Sequence, residues 1–192
     1  MTKKEMRKQY LQARKDICDC SRKNADSAIC QSLSDFSDLQ QAKNVAAYIS
    51  DGTEVDLNDL IEYCLKVGKK VFLPRYSASS ETGYEMVEIN DLSLDLVPGK
   101  YGLMEPLQKL PAAAAGQIND ILWLVPGVAF DHKGARLGRG KGIYDRLLSK
   151  SDGLSIGIFY ECQKADEVPA GEHDQKMDII VTEKMIYKIN HK

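Results

Sequence analysis

Apolar positions recur along this chain at helical and strand spacing, and the rhythm changes from one predicted element to the next. Lys3 to about Ile17 is rich in Lys, Arg and Gln, with Met6, Tyr10 and Leu11 as a thin apolar stripe, which predicts an amphipathic helix. On it Lys3 and Arg7 stand four apart and share a face, with Lys4 and Lys8 beside them and Arg14 two turns beyond Arg7. Ser21 is placed to cap a second helix, Arg22 to Leu33, with Ala25, Ala28, Ile29 and Leu33 inward. Val45-Ala-Ala-Tyr-Ile49 predicts a buried strand, followed by the loop Ser50-Asp-Gly-Thr-Glu54. Asp56 then caps a helix carrying Leu57, Leu60, Ile61, Cys64 and Leu65, stopped by Gly68.

Lys70-Val-Phe-Leu73 predicts the next strand, ended by Pro74, and Tyr84 to Ile89 alternates like a half-exposed antiparallel strand. Pro98 to Pro106 is too rich in Gly and Pro for regular structure and is a candidate pocket-lining loop; Pro111 to Gly116 is a connector. Ile121 to Val125 and Leu154 to Tyr160 are strongly apolar strands. Asp178 to Val181 is a short strand with an acidic entrance, and Lys184 to Ile189 adds an edge strand. Strands alternating with helices predict an α/β fold: a single-domain, three-layer sandwich of a mostly parallel sheet flanked by helices, spanning 1–192.

Between two of those strands lies the most unusual stretch. After Pro126-Gly127 come Gly134, Gly138, Gly140 and Gly142, interleaved with Arg136, Arg139 and Lys141, and a helix opens near Tyr144-Asp145-Arg146. Glycines let backbone N–H groups approach an anion, and the cations neutralise it, so the stretch suits a polyanion such as a phosphate chain. A solvated basic loop would share the composition but not the regular alternation of glycine and cation. Two common nucleotide fingerprints fail. Lys141 is followed by Gly142 and not by Ser or Thr, and Ile143 falls where a third dinucleotide-binding glycine belongs. Glu54, in a loop after a strand, is either a ligand contact or a plain loop carboxylate.

Composition narrows the setting. A net charge of −2 makes the basic loop local and argues against nucleic acid as partner. No apolar run approaches the roughly 18 residues of a membrane span, and Met1-Thr-Lys-Lys-Glu5 lacks the apolar core of a signal peptide. No membrane partner and a cytoplasmic location are therefore expected. Five cysteines without a C-x-x-C pair predict free thiols and no disulfide framework or zinc site.

The run Pro126 to Arg146, taken with pieces spread along the chain, resembles the 5-formyltetrahydrofolate cyclo-ligase family, also called methenyltetrahydrofolate synthetases. Those pieces are Lys3-x-x-x-Arg7, Tyr48-Ile-Ser with Glu54-Val-Asp, Leu73-Pro-Arg75, Gly102-Leu-Met-Glu-Pro106, and His173-Asp174 leading to Asp178-x-x-Val-Thr182. The resemblance implies ATP- and Mg²⁺-dependent cyclisation of 5-formyltetrahydrofolate, with or without a polyglutamate tail, to 5,10-methenyltetrahydrofolate, releasing ADP and phosphate. A monomer is expected. ATP would meet Lys3, Lys4 and Arg7 on the helix 3–17, and Arg136, Leu137, Gly138, Arg139, Gly140, Lys141, Gly142, Ile143 and Tyr144. The folate would meet Ile49, Glu54, Met86, Tyr101, Glu105 and the Arg139-to-Ile143 segment. Catalysis would rest on Arg139, Lys141 and Tyr144, and the metal on Asp145 and Asp178. This chain departs from many members in having Ile143 before Tyr144, where two aromatic residues are common, and Arg139 at a position often aromatic. Another ATP-dependent small-molecule kinase or ligase would fit the same loop, as would a non-catalytic folate- or nucleotide-binding regulator.

Overall fold

The computed structural model describes residues 1–99, 102–118 and 120–189. In chain order, α1 (Lys3–Lys15), α2 (Asp19–Ser34) and α3 (Ser37–Gln41) lead into β1 (Asn44–Ala46), α4 (Asn58–Lys66), β2 (Lys70–Tyr76) and β3 (Tyr84–Ile89). Next come β4 (Leu96–Pro98), β5 (Met104–Pro106), α5 (Ala115–Ile118), β6 (Leu122–Pro126), β7 (Ala129–Phe130), β8 (Arg136–Leu137) and α6 (Ile143–Leu148). The chain continues through β9 (Ser155–Ile158), a 3-10 turn (Glu161–Gln163), β10 (Ile179–Val181) and β11 (Ile186–Lys188).

Seven strands form one sheet in the order β11-β10-β9-β6-β1-β2-β3. The inner pairs are all parallel, and the two outermost strands, β3 and β11, are antiparallel. Successive side chains alternate between the two faces. Val45, Val71, Leu122, Leu124, Ile156 and Val181 pack with Ile29, Leu33, Leu60 and Ile61 of α2 and α4. Ala46, Phe72, Trp123, Val125 and Ile180 pack on the other face with Phe130, Leu147, Leu148 and Phe159. All five residues of β6 are buried, as a central parallel strand covered by helices requires. The mostly parallel α/β sandwich expected from the pattern is the fold observed.

Helix α1 begins at a capping box that the periodicity did not single out: Thr2 Oγ1 accepts from Glu5 N, and Glu5 Oε2 accepts from Thr2 N at 2.8 Å. Its buried face is Met6, Tyr10 and Arg14, and Met6 and Tyr10 pack with Val128, Ala129 and Leu137 of the β7–β8 hairpin. Each large apolar side chain buried in this way contributes about 1.5–3 kcal/mol, which fixes the helix beside the glycine loop.

Several local expectations need correction. Helix α2 starts at Asp19 with Ser21 inside it, and Ala28 faces solvent. Strand β2 continues through Pro74, because its pairing with β1 ends at Phe72 and a proline is tolerated where one ladder has stopped. The Pro98–Pro106 segment is bounded by paired strands, β4 and β5, and the connector 111–116 runs into the single turn α5. The five cysteines are free, and among the described residues no helix is long and apolar enough to cross a membrane.

Gly153 gives a stability prediction. A Cβ there would stand 1.9 Å from the Ile121 carbonyl oxygen, a backbone atom that cannot rotate away. Gly153→Ala is expected to cost about 3 kcal/mol. An unchanged urea midpoint would contradict this packing.

Candidate active site

The inner strands run in one direction, so their carboxyl ends share one edge of the sheet, where ligands sit in open α/β folds. A cavity of about 670 Å³ opens there, lined by Tyr48 and Ile49 after β1, Leu73 and Pro74 of β2, and Pro126 and Gly127 at the end of β6. The glycine loop forms one wall, α1 contributes Lys3 and Arg7, and Gly102 to Glu105 complete it.

The glycines have definite tasks. Gly140 and Gly142 have φ of +98° and +60°, a region that side-chain-bearing residues rarely adopt. At Gly140 a Cβ would also approach the Arg7 guanidinium, whose Nε donates to the Gly138 carbonyl at 2.8 Å. The loop is thus bare where a cation from α1 crosses it. Gly142 caps α6, a helix of only six residues, so the anion-attracting character of this wall rests mainly on side chains. Arg136 is buried, donates from Nη2 to Asp145 Oδ1 at 2.7 Å, and leaves its Nε without a hydrogen-bond partner among the described residues. A buried donor of this kind is costly unless a ligand uses it.

Two guanidiniums face the Asp51 and Glu54 carboxylates of the cavity, Arg139 from its wall and Arg14 from outside its lining. Arg139 donates from Nη2 to Asp51 and, at 3.2 Å, to Glu54 Oε1. Arg14 lies 3.6 Å from both Asp51 Oδ2 and Glu54 Oε1. Burial pushes the Glu54 carboxyl above the usual range, with Arg139 and Arg14 opposing and Asp51 adding to the shift. For Asp51, burial is outweighed by hydrogen bonds from Arg139 and Thr53, which hold its carboxyl well below the usual range. Burial, and then the charge of Glu54, raise the Tyr144 hydroxyl well above its ordinary value, so it stays protonated as a donor.

The structure brings together most of the residues singled out from sequence. Lys3, Arg7, Ile49, Glu54, Glu105, Asp145 and the whole run 136–144 line the cavity. Arg139 sits on the Asp51 and Glu54 side of it. Four expectations fare differently. Lys4 is exposed and does not line the cavity, because one residue along a helix turns about 100° away from Lys3. Met86 is 1% exposed among Phe72 and Trp123, a core residue rather than a pocket wall. Tyr101 lies outside the described residues. Asp178 is not in the cavity: its Oδ2 accepts from Ser155 N and Oγ at 2.8 and 2.7 Å. Ser155 pairs with Trp123 near the start of β6, so Asp178 stands toward the amino edge of the parallel sheet, away from the cavity.

The second carboxylate near Asp145 is Asp174, which lines the cavity beside Lys3 Nζ at 2.5 Å. Burial would raise its carboxyl, but Lys3 and the Gly171 N–H outweigh this and hold it below the usual range. The next residue, Gln175, donates its N–H to Asp145 Oδ1 at 3.2 Å, which brings the two carboxylates to one side of the loop. No group of three or more His, Cys, Asp or Glu among the described residues could hold a metal alone. Mg²⁺ is commonly held by one or two carboxylates together with substrate phosphates, so Asp145 and Asp174 fit that role.

Fold and cavity together define an α/β protein with a cationic glycine loop lining a cavity at the carboxyl edge of its sheet. The 5-formyltetrahydrofolate cyclo-ligase family model matches residues 1–183, and the chain belongs to that family. It is 33% identical over 177 residues to a probable 5-formyltetrahydrofolate cyclo-ligase of Schizosaccharomyces pombe, covering 84% of this chain and 86% of the relative. Its fold matches a solved 5,10-methenyltetrahydrofolate synthetase of Aquifex aeolicus with TM-score 0.85 and 32% identity, over 100% of this chain and 95% of the other. A synthetase of Mycoplasma pneumoniae matches with TM-score 0.73 and 25% identity, over 95% of this chain and 99% of the other.

Proposed function

We propose that this protein cyclises 5-formyltetrahydrofolate to 5,10-methenyltetrahydrofolate at the expense of ATP, with residues 1–192 acting as one catalytic domain. The observation that carries this reading is one cavity lined both by a cationic glycine loop and by the half-buried Glu54 carboxylate. A triphosphate and a pterin need those opposite characters side by side.

Phosphate binding is assigned to Lys3, Arg7, Arg136 and Lys141, and folate recognition to Glu54, Ile49, Glu105 and the 139–143 segment. A carboxylate accepts well from the amino and ring N–H groups of a pterin. The N-formyl oxygen is a poor leaving group. Transfer of the γ-phosphoryl to that oxygen, with ADP leaving, activates the carbon; N10 attacks it and closes the five-membered ring, and loss of phosphate and of the N10 proton gives the methenyl product. Catalysis of this kind needs alignment and stabilisation of charge more than a protein nucleophile. Asp145 and Asp174 would hold Mg²⁺, which would supply charge neutralisation to the phosphates. The Tyr144 hydroxyl and Lys141 ammonium supply donors at the same wall, and Arg139 bridges it to Glu54. Folate is the small-molecule partner; a monomer in the cytoplasm is the setting we assign.

Lys141→Ala is expected to weaken ATP binding about tenfold, the loss of one charge-assisted contact, and to weaken folate binding less. Arg139→Ala should instead alter the folate KM more than the ATP KM, since its partners are Asp51 and Glu54. Calorimetry with each ligand separates the two, and unaltered ATP affinity in Lys141→Ala would remove Lys141 from the phosphate wall. Mixing the protein with 5-formyltetrahydrofolate, ATP and Mg²⁺ tests the reaction itself.

A further inference from the structure

Arg14 is not explained by packing. It is 1% exposed on a helix whose other cations reach solvent or the cavity, and guanidinium groups are seldom fully buried without charged partners. Its Nη1 donates to the Gly127 carbonyl at 3.2 Å and its Nη2 to Thr53 Oγ1 at 2.8 Å. Its Nε has no hydrogen-bond partner among the described residues, a cost that an apolar side chain at this position would not carry.

We propose that Arg14 is a positioning residue for folate recognition: from α1 it fixes Asp51 and Glu54 as a carboxylate pair at the cavity. It thereby links them to the helix whose Lys3 and Arg7 face the glycine loop. This rests on the folate reading of that part of the cavity. Arg14 does not line the cavity, so it acts through the carboxylates.

The surroundings support a fixed support rather than a movable one. Arg22 donates from Nη1 to the Thr53 carbonyl at 2.7 Å and from Nη2 to the Arg14 carbonyl at 2.8 Å, so one side chain holds both α1 and the 50–54 loop. Ser50 Oγ donates to the Glu54 carbonyl at 2.8 Å, and the Glu54 N–H donates to Asp51 Oδ1 at 3.0 Å, so the loop also holds its own backbone. Arg139, the other cation on the pair, sits on the glycine loop with its side chain 46% exposed. Substrate that accepts Arg139's place at Glu54 would still find the carboxylate held by Arg14. A recognition group ordered before binding costs less affinity than one ordered on binding.

The test uses the full-length chain with Arg14→Gln and Arg14→Lys, measuring KM for each substrate and the pH profile of kcat/KM for folate. Glu54 is faced by Arg14 from α1, Arg139 from the glycine loop, Asp51 from its own loop, and the hydroxyls of Tyr48 and Tyr144. Losing one cation favours the protonated form, so the acid limb in Arg14→Gln should move upward by about one pH unit. The folate KM should rise about tenfold while the ATP KM stays within about twofold. Arg14→Lys keeps the charge and should return the acid limb to the wild-type position, with a folate KM between the two. A folded Arg14→Gln with an unmoved limb and folate KM would overturn the proposal, as would equal rises in both KM values. Should Arg14→Gln not fold, Arg14→Lys decides: its folate Kd must weaken at least about threefold against an unchanged ATP Kd, and parity overturns it. Absence of turnover in the wild type would contradict the reaction, whereas wild-type turnover with an unmoved Arg14→Gln contradicts only the positioning role.

Discussion

Asp145→Asn is expected to lower kcat about a hundredfold or more and to raise the Mg²⁺ concentration needed for half-maximal activity. The carboxylate accepts from the Arg136 guanidinium at 2.7 Å and from the Gln175 N–H, and it lines the cavity beside the glycine loop. Asparagine keeps the shape and removes the charge. A hard divalent ion loses an anionic oxygen ligand, and Arg136 loses its counter-charge, so both metal affinity and the placement of the buried cation suffer. Circular dichroism and the unfolding midpoint should remain near those of the wild type, because Asp145 is only partly buried on α6. Asp174→Asn should displace the Mg²⁺ dependence in the same direction. Unchanged turnover and unchanged Mg²⁺ dependence in Asp145→Asn would remove that residue from the metal site.

Glu54→Gln should raise the folate KM about ten- to a hundredfold, the value of a charge-assisted hydrogen bond to the pterin, with a smaller effect on the ATP KM. The pH profile adds an independent reading. In the proposed pocket Glu54 is a two-oxygen, charge-assisted acceptor for the pterin when ionised and a weaker one when protonated, and burial raises its carboxyl above the ordinary range. The ionised form is therefore lost, as pH falls, at a higher pH than for an exposed glutamate, and kcat/KM for folate should fall there. Glutamine does not titrate, so that acid limb should flatten in the variant. Equal effects on both substrates, or an acid limb that persists, would take Glu54 out of the pterin pocket.

Much of this was legible in the sequence because parallel strands and glycine loops leave strong local marks. The apolar run at Leu122–Val125 announces a central strand, and the alternation of Gly138, Gly140 and Gly142 with cations announces the cavity wall. What escaped depends on direction and distance. An acidic residue at a strand entrance looks the same at either edge of a sheet, and only the parallel pairing of β10 with β9 shows that Asp178 lies toward the amino edge and Asp174 beside the cavity. Arg14 is legible in the sequence only as a cation two turns beyond Arg7 on a polar helix; the carboxylates beside it come from the loop that holds Asp51 and Glu54. Met86 alternates correctly for β3, yet whether its face meets the cavity or the core is decided by packing with Phe72 and Trp123.

The most direct measurement is a single turnover assay on the purified protein with 5-formyltetrahydrofolate, ATP and Mg²⁺, following the absorbance of the methenyl product and the release of phosphate together. Methenyl product and phosphate should appear in equal amounts, and both should stop when ATP or Mg²⁺ is withheld. Folded, ATP-binding protein that forms no methenyl product, or that releases phosphate without it, would contradict the assigned reaction.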